Sequence, residues 1–337
     1  MIAPQTNTPA TVCPACGESV TTALREAFDD RYGYPDLFRI VAFAGSGHQM
    51  TDPRLRESEM RALYGSYYPR KQILAWVVVA QARGASRRRN AFVPWLWGTG
   101  NQGQYDARRG ERVLDVGCGS GVSLLEAAEL GAQAYGIETD PNIQPIASEL
   151  GLRIHPGSVH DNPFPGIVFD LVVVNQVTEH IPEHDRALLE LGTRLAPGGR
   201  MSLVLPDRRS LWSRIAGPRW INWHLPYHLH HFDAATFRRM AERCGFRIVR
   251  VRPITPNLWT VLQLRAMHIE PVRGIASPMW QVPVERSGET RSRPARRPLK
   301  AILSVLALTL IAVFNRLVDA MGAGDSLMVE LQPVRHA

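Results

Sequence analysis

The sequence predicts an α/β fold built on a doubly wound, mostly parallel sheet. Between residues 112 and 207, short apolar runs alternate with helical patterns, as they do in consecutive βαβ units. Each predicted helix ends at a glycine or before a proline, which are common helix stops. A chain of 337 residues is long enough for one such domain with flanking segments.

The predicted core alternates strands with helices. The strands are expected at residues 113–115, 134–138, 153–155, 171–175 and 200–205. The helices between them are expected at residues 123–130, 142–150 and 185–195. A further helix at 234–244 has Asp233 as its N-cap and Gly245 at its end, and it leads into a strand at 246–251. The last strand is expected at 326–331.

Composition shifts along the chain suggest five parts. Residues 1–70 form a loop-rich leader, and residues 71–104 combine a linker with an apolar helix or buried strand at 72–82. The core spans residues 105–253 and includes a cap insertion, rich in tryptophan and histidine, at 206–232. A basic linker and an apolar helix occupy 254–324, and the final strand and tail occupy 325–337.

The bulk composition is that of an ordinary globular protein, with 45% hydrophobic and 21% charged residues. The net charge of +8 comes mainly from arginine and is compatible with anionic lipid, phosphate or nucleic acid. The four cysteines do not form a disulfide framework for a chain of this size. Because the first twelve residues show no secretory signal pattern, we expect a reducing, cytoplasmic setting.

The segment VLDVGCGSG, residues 113–121, places a glycine-rich turn after the first core strand. Such a turn brings backbone N–H groups and a helix N-terminus to a ligand above the strand. The spacing Gly117-x-Gly119-x-Gly121 differs from the dinucleotide fingerprint G-x-G-x-x-G, and the lysine of a phosphate P-loop is absent. Asp115 would repel a diphosphate, but it can accept a hydrogen bond from an amino group.

Five segments in order resemble the motifs of the class I S-adenosylmethionine-dependent methyltransferases. They are VLDVGCGSG, YGIETD, GSVHDNPF, FDLVVVNQVTEHI and LAPGGRMSLVLPD, between about residues 111 and 207. The resemblance implies a Rossmann-like fold that binds S-adenosyl-L-methionine as the methyl donor. The later segment GAGDSLMVEL resembles a final strand of the same family, which implies an antiparallel last strand beside 246–251.

The resemblance also implies which residues contact the cofactor. Asp115 would accept from its α-amino group, and Glu138 would hold the ribose hydroxyls. In the turn that contacts adenine, Ser158 replaces a common acidic residue, and Asp161 follows three places on. The implied cofactor-binding residues are Asp115, Gly117, Gly119, Ser120, Gly121, Glu138, Thr139, Ser158, Val159, Asn175 and Gln176.

The candidate catalytic residues are the histidines His180, His228 and His231. His180 follows Glu179 after the fourth core strand, where it could contact a ligand or brace the loop by hydrogen bonds. The cap sequence WINWHLPYHLHHFDAATF contains the other two, in a P-x-H-x-x-H-F pattern. This pattern resembles a bacterial methyltransferase subgroup that acts on small molecules, often in glycan or lipid assembly.

In that subgroup Pro226, His228 and His231 would shape the acceptor pocket. The aromatic residues Trp220, Trp223 and Tyr227 would either form its wall or pack in the core. We expect no metal site in the cap, because Asp233 is the only carboxylate in this cluster and its capping role is the simpler explanation.

The leader of the same subgroup often carries two CxxC pairs of a zinc ribbon. Here Cys13 and Cys16 form one pair, whereas Phe43 and Ser46 occupy the positions expected for the second pair. His48 could serve as a third ligand. We expect instead that the metal is lost and that a ribbon-like shape remains.

The apolar run at 301–314 is shorter than the roughly 20 residues that a transmembrane helix needs. Arg296, Arg297 and Lys300 precede it, so the segment 296–318 could lie in a membrane interface with its basic residues on lipid phosphates. The alternative is a helix packed on the domain or in a dimer. The sequence does not separate these two possibilities.

Taken together, these patterns predict methyl transfer from S-adenosyl-L-methionine to a small-molecule, sugar or lipid-linked acceptor, with oxygen as the first choice of acceptor atom. One alternative is a nicotinamide-dependent oxidoreductase, which the glycine spacing disfavours. Another is a non-catalytic membrane-associated protein that retains the cofactor fold. We expect no nucleic-acid partner and a cytoplasmic location, which would be peripheral at the inner membrane face if the segment 296–318 contacts lipid.

Overall fold

The structure, a computed structural model, describes residues 12–13, 16–17, 19, 21–68, 74–89, 92–98, 102–281 and 298–334. The strands are β1 (Thr21–Phe28), β2 (Leu37–Phe43), β3 (Gln49–Asp52), β4 (Arg112–Val116), β5 (Gln133–Glu138), β6 (Ile154–Pro156), β7 (Phe169–Asn175), β8 (Leu195–Pro206), β9 (His230–His231), β10 (Phe246–Ile254) and β11 (Ser326–Pro333). The helices are α1 (Glu57–Ser66), α2 (Ala75–Ala82), α3 (Ala85–Arg88), α4 (Phe92–Trp97), α5 (Val122–Glu129), α6 (Gln144–Glu149), α7 (His184–Thr193), α8 (Leu211–Ala216), α9 (Ala234–Arg243), α10 (Asn257–Ala266) and α11 (Pro298–Ala320). The basic linker expected at 286–297 lies outside the described residues.

The main sheet has seven strands in the order β10-β11-β8-β7-β4-β5-β6. The pairs β7–β8, β4–β7, β4–β5 and β5–β6 are parallel. β11 is antiparallel to both of its neighbours, β8 and β10. The predicted α/β class, the mostly parallel sheet and its antiparallel last strand are therefore confirmed.

Both faces of the central strands are buried, which explains why these strands read as continuous apolar runs. Leu114 and Val172 belong to one apolar cluster, whereas Val113, Leu171 and Val173 belong to another. Successive side chains of a strand point to opposite faces, so the two clusters lie on the two sides of the sheet. Helices must cover each side, as a doubly wound fold requires.

The expectation of a loop-rich leader is wrong, because three strands and a helix occupy much of residues 21–66. β1, β2 and β3 pair antiparallel, and the two-residue strand β9 of the cap joins β3 to give the order β1-β2-β3-β9. Phe38, Ile40 and Phe43 of β2 are buried. The leader thus packs on the cap through its own hydrophobic side chains.

A buried carboxylate at the start of the final strand holds the cap in place. Asp325 Oδ1 accepts hydrogen bonds from Trp220 Nε1 at 2.8 Å and from Ser210 Oγ at 3.0 Å. Its Oδ2 accepts from Asn222 Nδ2 at 2.9 Å. Trp220 is itself fully enclosed, so it packs in the core and does not form a wall of an open pocket. The cap is therefore fastened to the far end of the described chain.

The helix α11 is longer than the sequence suggested, and it is only partly covered. Its segment Leu303–Ala320 has the length and apolar composition of a membrane-crossing helix, with 22% of that segment buried. Arg316 donates hydrogen bonds to the carbonyl oxygens of Trp95 and Thr255, and Asn315 contacts Thr260. The second half of α11 is thus docked on the domain, while many of its leucines face outward.

Candidate functional site

The glycine-rich turn joins β4 to α5 and requires backbone conformations that suit glycine. Gly117, Gly119 and Gly121 have φ angles of 72°, 53° and 84°. A Cβ atom on Gly117 would also lie 2.4 Å from Cγ2 of Val177, which comes just after β7. The turn therefore lies close to the segment that carries Glu179 and His180.

A cavity of about 300 Å³ opens beside this turn, within the usual range of small-ligand pockets. Its lining residues are Gln81, Gln102, Gln104, Asp115, Gly117, Cys118, Gly119, Ser120, Val122, Ser123 and Asn175. Five of the residues implied by the family resemblance are among them: Asp115, Gly117, Gly119, Ser120 and Asn175. These five come from the ends of β4 and β7, which are neighbours in the sheet.

Asp115 lies at the foot of this cavity and is only 3% exposed. Its Oδ1 has no hydrogen-bond partner among the described residues. Burial raises the pKa of the Asp115 carboxyl to about 7; a hydrogen bond from Ser123 opposes this rise, and the nearby Glu138 and Glu126 charges add to it. A cationic ligand group at this carboxylate would relieve that cost.

Glu138 ends β5 with its carboxylate beside the glycine turn. Its Oε2 accepts a hydrogen bond from the Gly119 N–H at 2.8 Å, and its Oε1 accepts from Asp140 N–H at 2.9 Å and from Thr139 Oγ1 at 3.2 Å. These bonds hold the carboxylate at the end of a parallel strand, where α/β sheets bind their ligands. Contacts of Glu138, Thr139 and Gly121 with a cofactor remain predictions.

Three of the remaining implied residues lie in turns outside the lining of the cavity. Ser158 N–H donates to Asp161 Oδ2 at 2.7 Å, so the acidic residue three places on is tied to the turn itself. Val159 is buried in the main apolar cluster. Gln176 adopts a left-handed conformation, with φ of 55°, and its Nε2 contacts Ser326 Oγ at 3.3 Å. Their roles toward a cofactor also remain predictions.

The sequence analysis missed a cover over the cavity. Gln81 of α2 lines it from above, and Arg88 of α3 donates to the carbonyl oxygens of Gln81 and Ala82 at 3.2 and 2.9 Å. The same guanidinium group pairs with Glu126 Oε1 of α5 at 2.7 Å. Arg88 therefore holds the C-terminal end of α2 against the helix that follows the glycine turn. In the sequence Arg88 stands between Arg87 and Arg89, and nothing in this run distinguishes it from its two neighbours.

A polar network continues from this cover to the strand ends. Gln104 donates from Nε2 to Glu126 Oε2 at 2.7 Å and accepts at Oε1 from Asn175 Nδ2 at 2.9 Å. Asn175 Oδ1 in turn accepts from the Gly103 N–H at 3.1 Å. These bonds fix the amide of Asn175 within the cavity wall, so it is positioned before any ligand arrives.

The second cluster of interest joins the end of β7 to the cap. Glu179, His180 and His228 each offer a ligand atom, and these atoms all lie within 4.8 Å of one another. His228 Nε2 is 3.9 Å from Glu179 Oε1, and the rings of His180 and His228 meet edge to face at 4.6 Å. The structure thus brings two of the three predicted histidines together, with a carboxylate that the predicted site did not include.

Tyr64 of α1, which the sequence analysis also missed, lies between the two clusters. Its hydroxyl is 3.0 Å from His180 Nδ1. Burial raises the pKa of Tyr64 well above its usual value, and among the nearby charges Glu179 and Glu138 add to this rise. Tyr64 is therefore close to both the ribose-side carboxylate and the histidine pair. The leader contributes a side chain to the site, which no single motif revealed.

The third predicted histidine, His231, lies outside this cluster. It belongs to β9, and its Nε2 contacts Thr51 Oγ1 at 3.1 Å. The same hydroxyl donates to the carbonyl oxygen of His228 at 2.7 Å. His231 therefore helps to brace the cap strand. Tyr227, proposed as a pocket wall, is fully buried among leader side chains.

The leader cysteines are packed in the protein interior. Cys13 Sγ lies 3.1 Å from Ser46 Oγ, and Cys13 shares an apolar cluster with Phe43 and Cys16. His48 faces His230, with 3.4 Å between His48 Nε2 and His230 Nδ1. Among the described residues, no metal-ligating group joins His48 to the two cysteines. The degenerate ribbon remains a prediction.

Comparison with known families gives a match over the core. A family described as "Methyltransferase domain" matches residues 87–251. A ubiquinone biosynthesis O-methyltransferase of Burkholderia multivorans is 30% identical over 162 residues, which are 43% of this chain and 68% of that protein. A protein of the same name from Azorhizobium caulinodans is 31% identical over 142 residues, 38% of this chain and 56% of that protein.

The curated relatives correspond to this chain only in part. The chain spans 65%, 56% and 68% of the length of three of them. A solved SAM-dependent methyltransferase from Archaeoglobus fulgidus is 17% identical, with a TM-score of 0.42 over 74% of this chain and 93% of that one.

Proposed function

The chain belongs to the class I S-adenosylmethionine-dependent methyltransferases, and we propose that it moves the methyl group of S-adenosylmethionine to an oxygen of a small, lipid-linked acceptor. The observation that carries the proposal is the unpartnered Oδ1 of the buried Asp115 carboxyl beside the glycine turn. When bound, the cofactor would supply an electrophilic methyl on a sulfonium centre.

The residues of the cavity fit this cofactor. The buried Asp115 carboxylate suits its α-ammonium group, and the Glu138 carboxylate suits two ribose hydroxyls. Gly119 has open space where a Cβ atom would stand, so its backbone can approach a ligand closely. A nicotinamide dinucleotide fits less well, because a diphosphate beside the glycine turn would face the Asp115 carboxylate.

The histidine pair His180 and His228 supports transfer of the methyl group to a neutral or weakly acidic group such as a hydroxyl. Burial lowers the pKa of His180 to about 4 and that of His228 well below its usual value, so both rings are neutral at pH 7. Neutral imidazoles can orient a hydroxyl group without repelling a cationic methyl donor. The similar proteins named above are O-methyltransferases by name, which favours oxygen as the acceptor atom.

Titration calorimetry tests the cofactor assignment directly. We expect S-adenosylmethionine to bind with micromolar affinity and NAD to give no heat of binding, because the glycine spacing and Asp115 suit an ammonium group and not a diphosphate. S-adenosylhomocysteine serves as the control, since it lacks the methyl group but retains the amino acid and the ribose. Binding of NAD in preference to both would refute the proposal.

The case for a lipid-linked acceptor rests on an apolar surface made by α4, α8, α10 and α11. These helices pack on one another, with α11 against both α4 and α10, and α10 against α8. The exposed apolar side chains of this surface are Phe92, Val93, Trp95, Ile215, Leu258, Leu264, Leu303, Val305, Leu306, Leu308, Leu310, Val313, Phe314 and Leu317. Soluble monomers rarely expose apolar side chains so densely.

The charges around this surface fit an anionic membrane. The four helices and the adjacent α3 contain a single carboxylate, Asp319, and Arg316 pairs with it at 2.8 Å. The other charged residues of these helices are the cations Arg87, Arg88, Arg214, Arg265 and Lys300, of which Arg88 is already paired with Glu126 of α5. Because the second half of α11 is docked through Asn315 and Arg316, we propose that the exposed first half rests in the lipid interface and that the helix does not cross the membrane. The chain would then be peripheral at the cytoplasmic membrane face.

Vesicle co-sedimentation tests this surface. The double substitution of Leu306 and Leu310 to glutamate should reduce binding to phosphatidylglycerol vesicles at least about tenfold, because burial of each leucine contributes roughly 1.5–3 kcal/mol. Leu189→Glu, at a similarly exposed leucine on α7, is the matched control. A truncation before α11 would also remove β11, which lies inside the main sheet, so substitutions are used in place of a truncation. Equal binding of both variants, or loss of a dimer with unchanged vesicle binding, would contradict the proposal.

A further inference from the structure

The carboxylate of Glu179 lacks the partners that a buried charge needs. The side chain is completely enclosed, and neither Oε1 nor Oε2 has a hydrogen-bond partner among the described residues. Buried carboxyl groups in folded proteins normally have a hydrogen-bond partner or a paired cation. Glu179 therefore has both oxygens available for a cationic partner.

The two histidines beside Glu179 each present a nitrogen with a free lone pair. His180 Nδ1 is 2.9 Å from the carbonyl oxygen of Tyr227, and His228 Nδ1 is 2.8 Å from that of Asn222. A carbonyl oxygen only accepts, so each Nδ1 carries the ring proton, and the Tyr64 hydroxyl 3.0 Å from His180 Nδ1 then serves as a second acceptor. In the neutral rings Nε2 is then unprotonated. Metal-binding histidines are commonly oriented in this way, by donating the other ring N–H to a carbonyl or carboxylate.

We propose that Glu179, His180 and His228 form a binding site for one divalent transition-metal ion, with zinc the best match to the donor set. Two imidazoles and one carboxylate are a known ligand set of open zinc sites, whereas magnesium prefers oxygen ligands alone. The 3.9 Å between His228 Nε2 and Glu179 Oε1 would shorten by roughly 0.6 Å on binding, given Zn–N distances of about 2.0–2.1 Å.

The folded chain supplies the ligand that the cap sequence lacks. No metal site was expected there, because Asp233 was the only carboxylate in the histidine cluster. Glu179 comes instead from the turn after β7, and its own carbonyl oxygen accepts from the Leu229 N–H at 2.8 Å, which ties that turn to the cap. Asp233 caps α9, as predicted, with Oδ1 accepting from the Thr236 N–H at 2.8 Å.

Three protein ligands leave one position of a tetrahedral ion open for water or a substrate oxygen. If the chain carries out the proposed methyl transfer, the hydroxyl of the acceptor would occupy this position. Coordination to the metal would lower the pKa of that hydroxyl. Its proton would leave to water, its oxygen would bond to the methyl carbon, and the electron pair of the broken S–CH₃ bond would remain on sulfur. The metal site itself does not depend on this role.

The test is zinc binding to the full chain. Protein stripped with a chelator should take up one Zn²⁺ per chain by plasma mass spectrometry after dialysis, and Co²⁺ should give the visible absorption of a four- or five-coordinate ion. His228→Gln and Glu179→Gln should each weaken Zn²⁺ binding at least about 100-fold, since even partners outside the ligand set are worth 10–100-fold. His231→Gln is the matched control, because this buried cap histidine is outside the proposed set.

Titration of S-adenosylmethionine into each variant separates loss of metal from loss of the fold and from failure of the proposed function. Variants that bind the cofactor like the wild type but lose Zn²⁺ would support the site. Wild-type protein that binds the cofactor and takes up no stoichiometric Zn²⁺ or Co²⁺ would overturn it, as would equal Zn²⁺ loss in His231→Gln. If His228→Gln fails to bind the cofactor, its loss of Zn²⁺ is not informative. The Zn²⁺ affinity of Glu179→Gln and the amount of Zn²⁺ bound per wild-type chain then decide whether the site exists.

Discussion

Asp115→Asn is expected to weaken S-adenosylmethionine binding by about 10- to 150-fold, which corresponds to the roughly 1.5–3 kcal/mol of a hydrogen bond to a charged group. The carboxylate lies at the foot of the cavity with Oδ1 unpartnered, so the proposed contact with the α-ammonium group would give this buried oxygen a charged partner, which the amide of asparagine replaces poorly. Calorimetry at pH 8 measures this loss. Asp170→Asn is the control, because its carboxylate accepts from the Arg112 N–H on the surface.

The same carboxylate makes cofactor affinity depend on pH in a fixed direction. The pKa of Asp115 in the ligand-free chain is raised to about 7, chiefly by burial, and a bound ammonium group would lower it. Below pH 7 binding therefore releases a proton from Asp115, whereas near pH 8 and above the ligand's own α-amino group has to take one up. Affinity should rise from about pH 5.5 to pH 7, and Asp115→Asn should show a flatter profile. A wild-type affinity that falls over this range would contradict the assignment.

Asp325→Ala is expected to lower the free energy of unfolding by about 3–5 kcal/mol, the cost of breaking a buried charged network. The substitution leaves Trp220 Nε1, Asn222 Nδ2 and Ser210 Oγ without their acceptor inside the cap. Urea unfolding followed by tryptophan fluorescence measures the change. Glu330→Ala on the same strand removes only the pairing with the exposed Arg250 and should cost less than about 1 kcal/mol.

The free energy of unfolding that Asp325→Ala removes should also vary with pH. Burial, the dominant cause, raises the pKa of Asp325 in the folded chain to about 6, so the unfolded chain loses this proton first as the pH rises. Between about pH 4 and 6, ionisation of Asp325 therefore opposes folding. The stability lost in Asp325→Ala should be largest near pH 4 and smaller at pH 7. A cost that grows with pH across this window would show that the hydrogen bonds outweigh desolvation.

The core was predictable because local pattern and tertiary environment agree there. β7 reads as an unbroken apolar run since both of its faces are buried, and the glycine turn after β4 needs left-handed conformations that glycine adopts readily. Five implied cofactor residues consequently line one cavity. The boundaries were less accurate: β8 begins at Leu195 and not at residue 200, because Leu195 already pairs with Phe169 at the start of β7, before a register shift that takes in residues 196–199.

The leader and the cover were not predictable in the same way. β1 is largely exposed, so its residues lack the apolar alternation of a core strand. Tyr64, Gln81 and Arg88 reach the site only through tertiary packing, and no local pattern marks such a role. Glu179 was visible in the sequence beside His180, but its proximity to His228 depends on how the cap folds back. α11 exceeded its expected length because Asn315 and Arg316, polar in the sequence, find partners on the domain.

The position of β11 between β8 and β10 has a consequence for biosynthesis. Roughly 70 residues separate Ile254, the end of β10, from Ser326, the start of β11. At about 5–20 residues per second, a ribosome needs about 4–14 s to make this segment. During that interval β10 has no neighbouring strand, and the apolar helix α11 emerges before the sheet can close. The seven-stranded sheet therefore stays incomplete until the segment that carries α11 has been made.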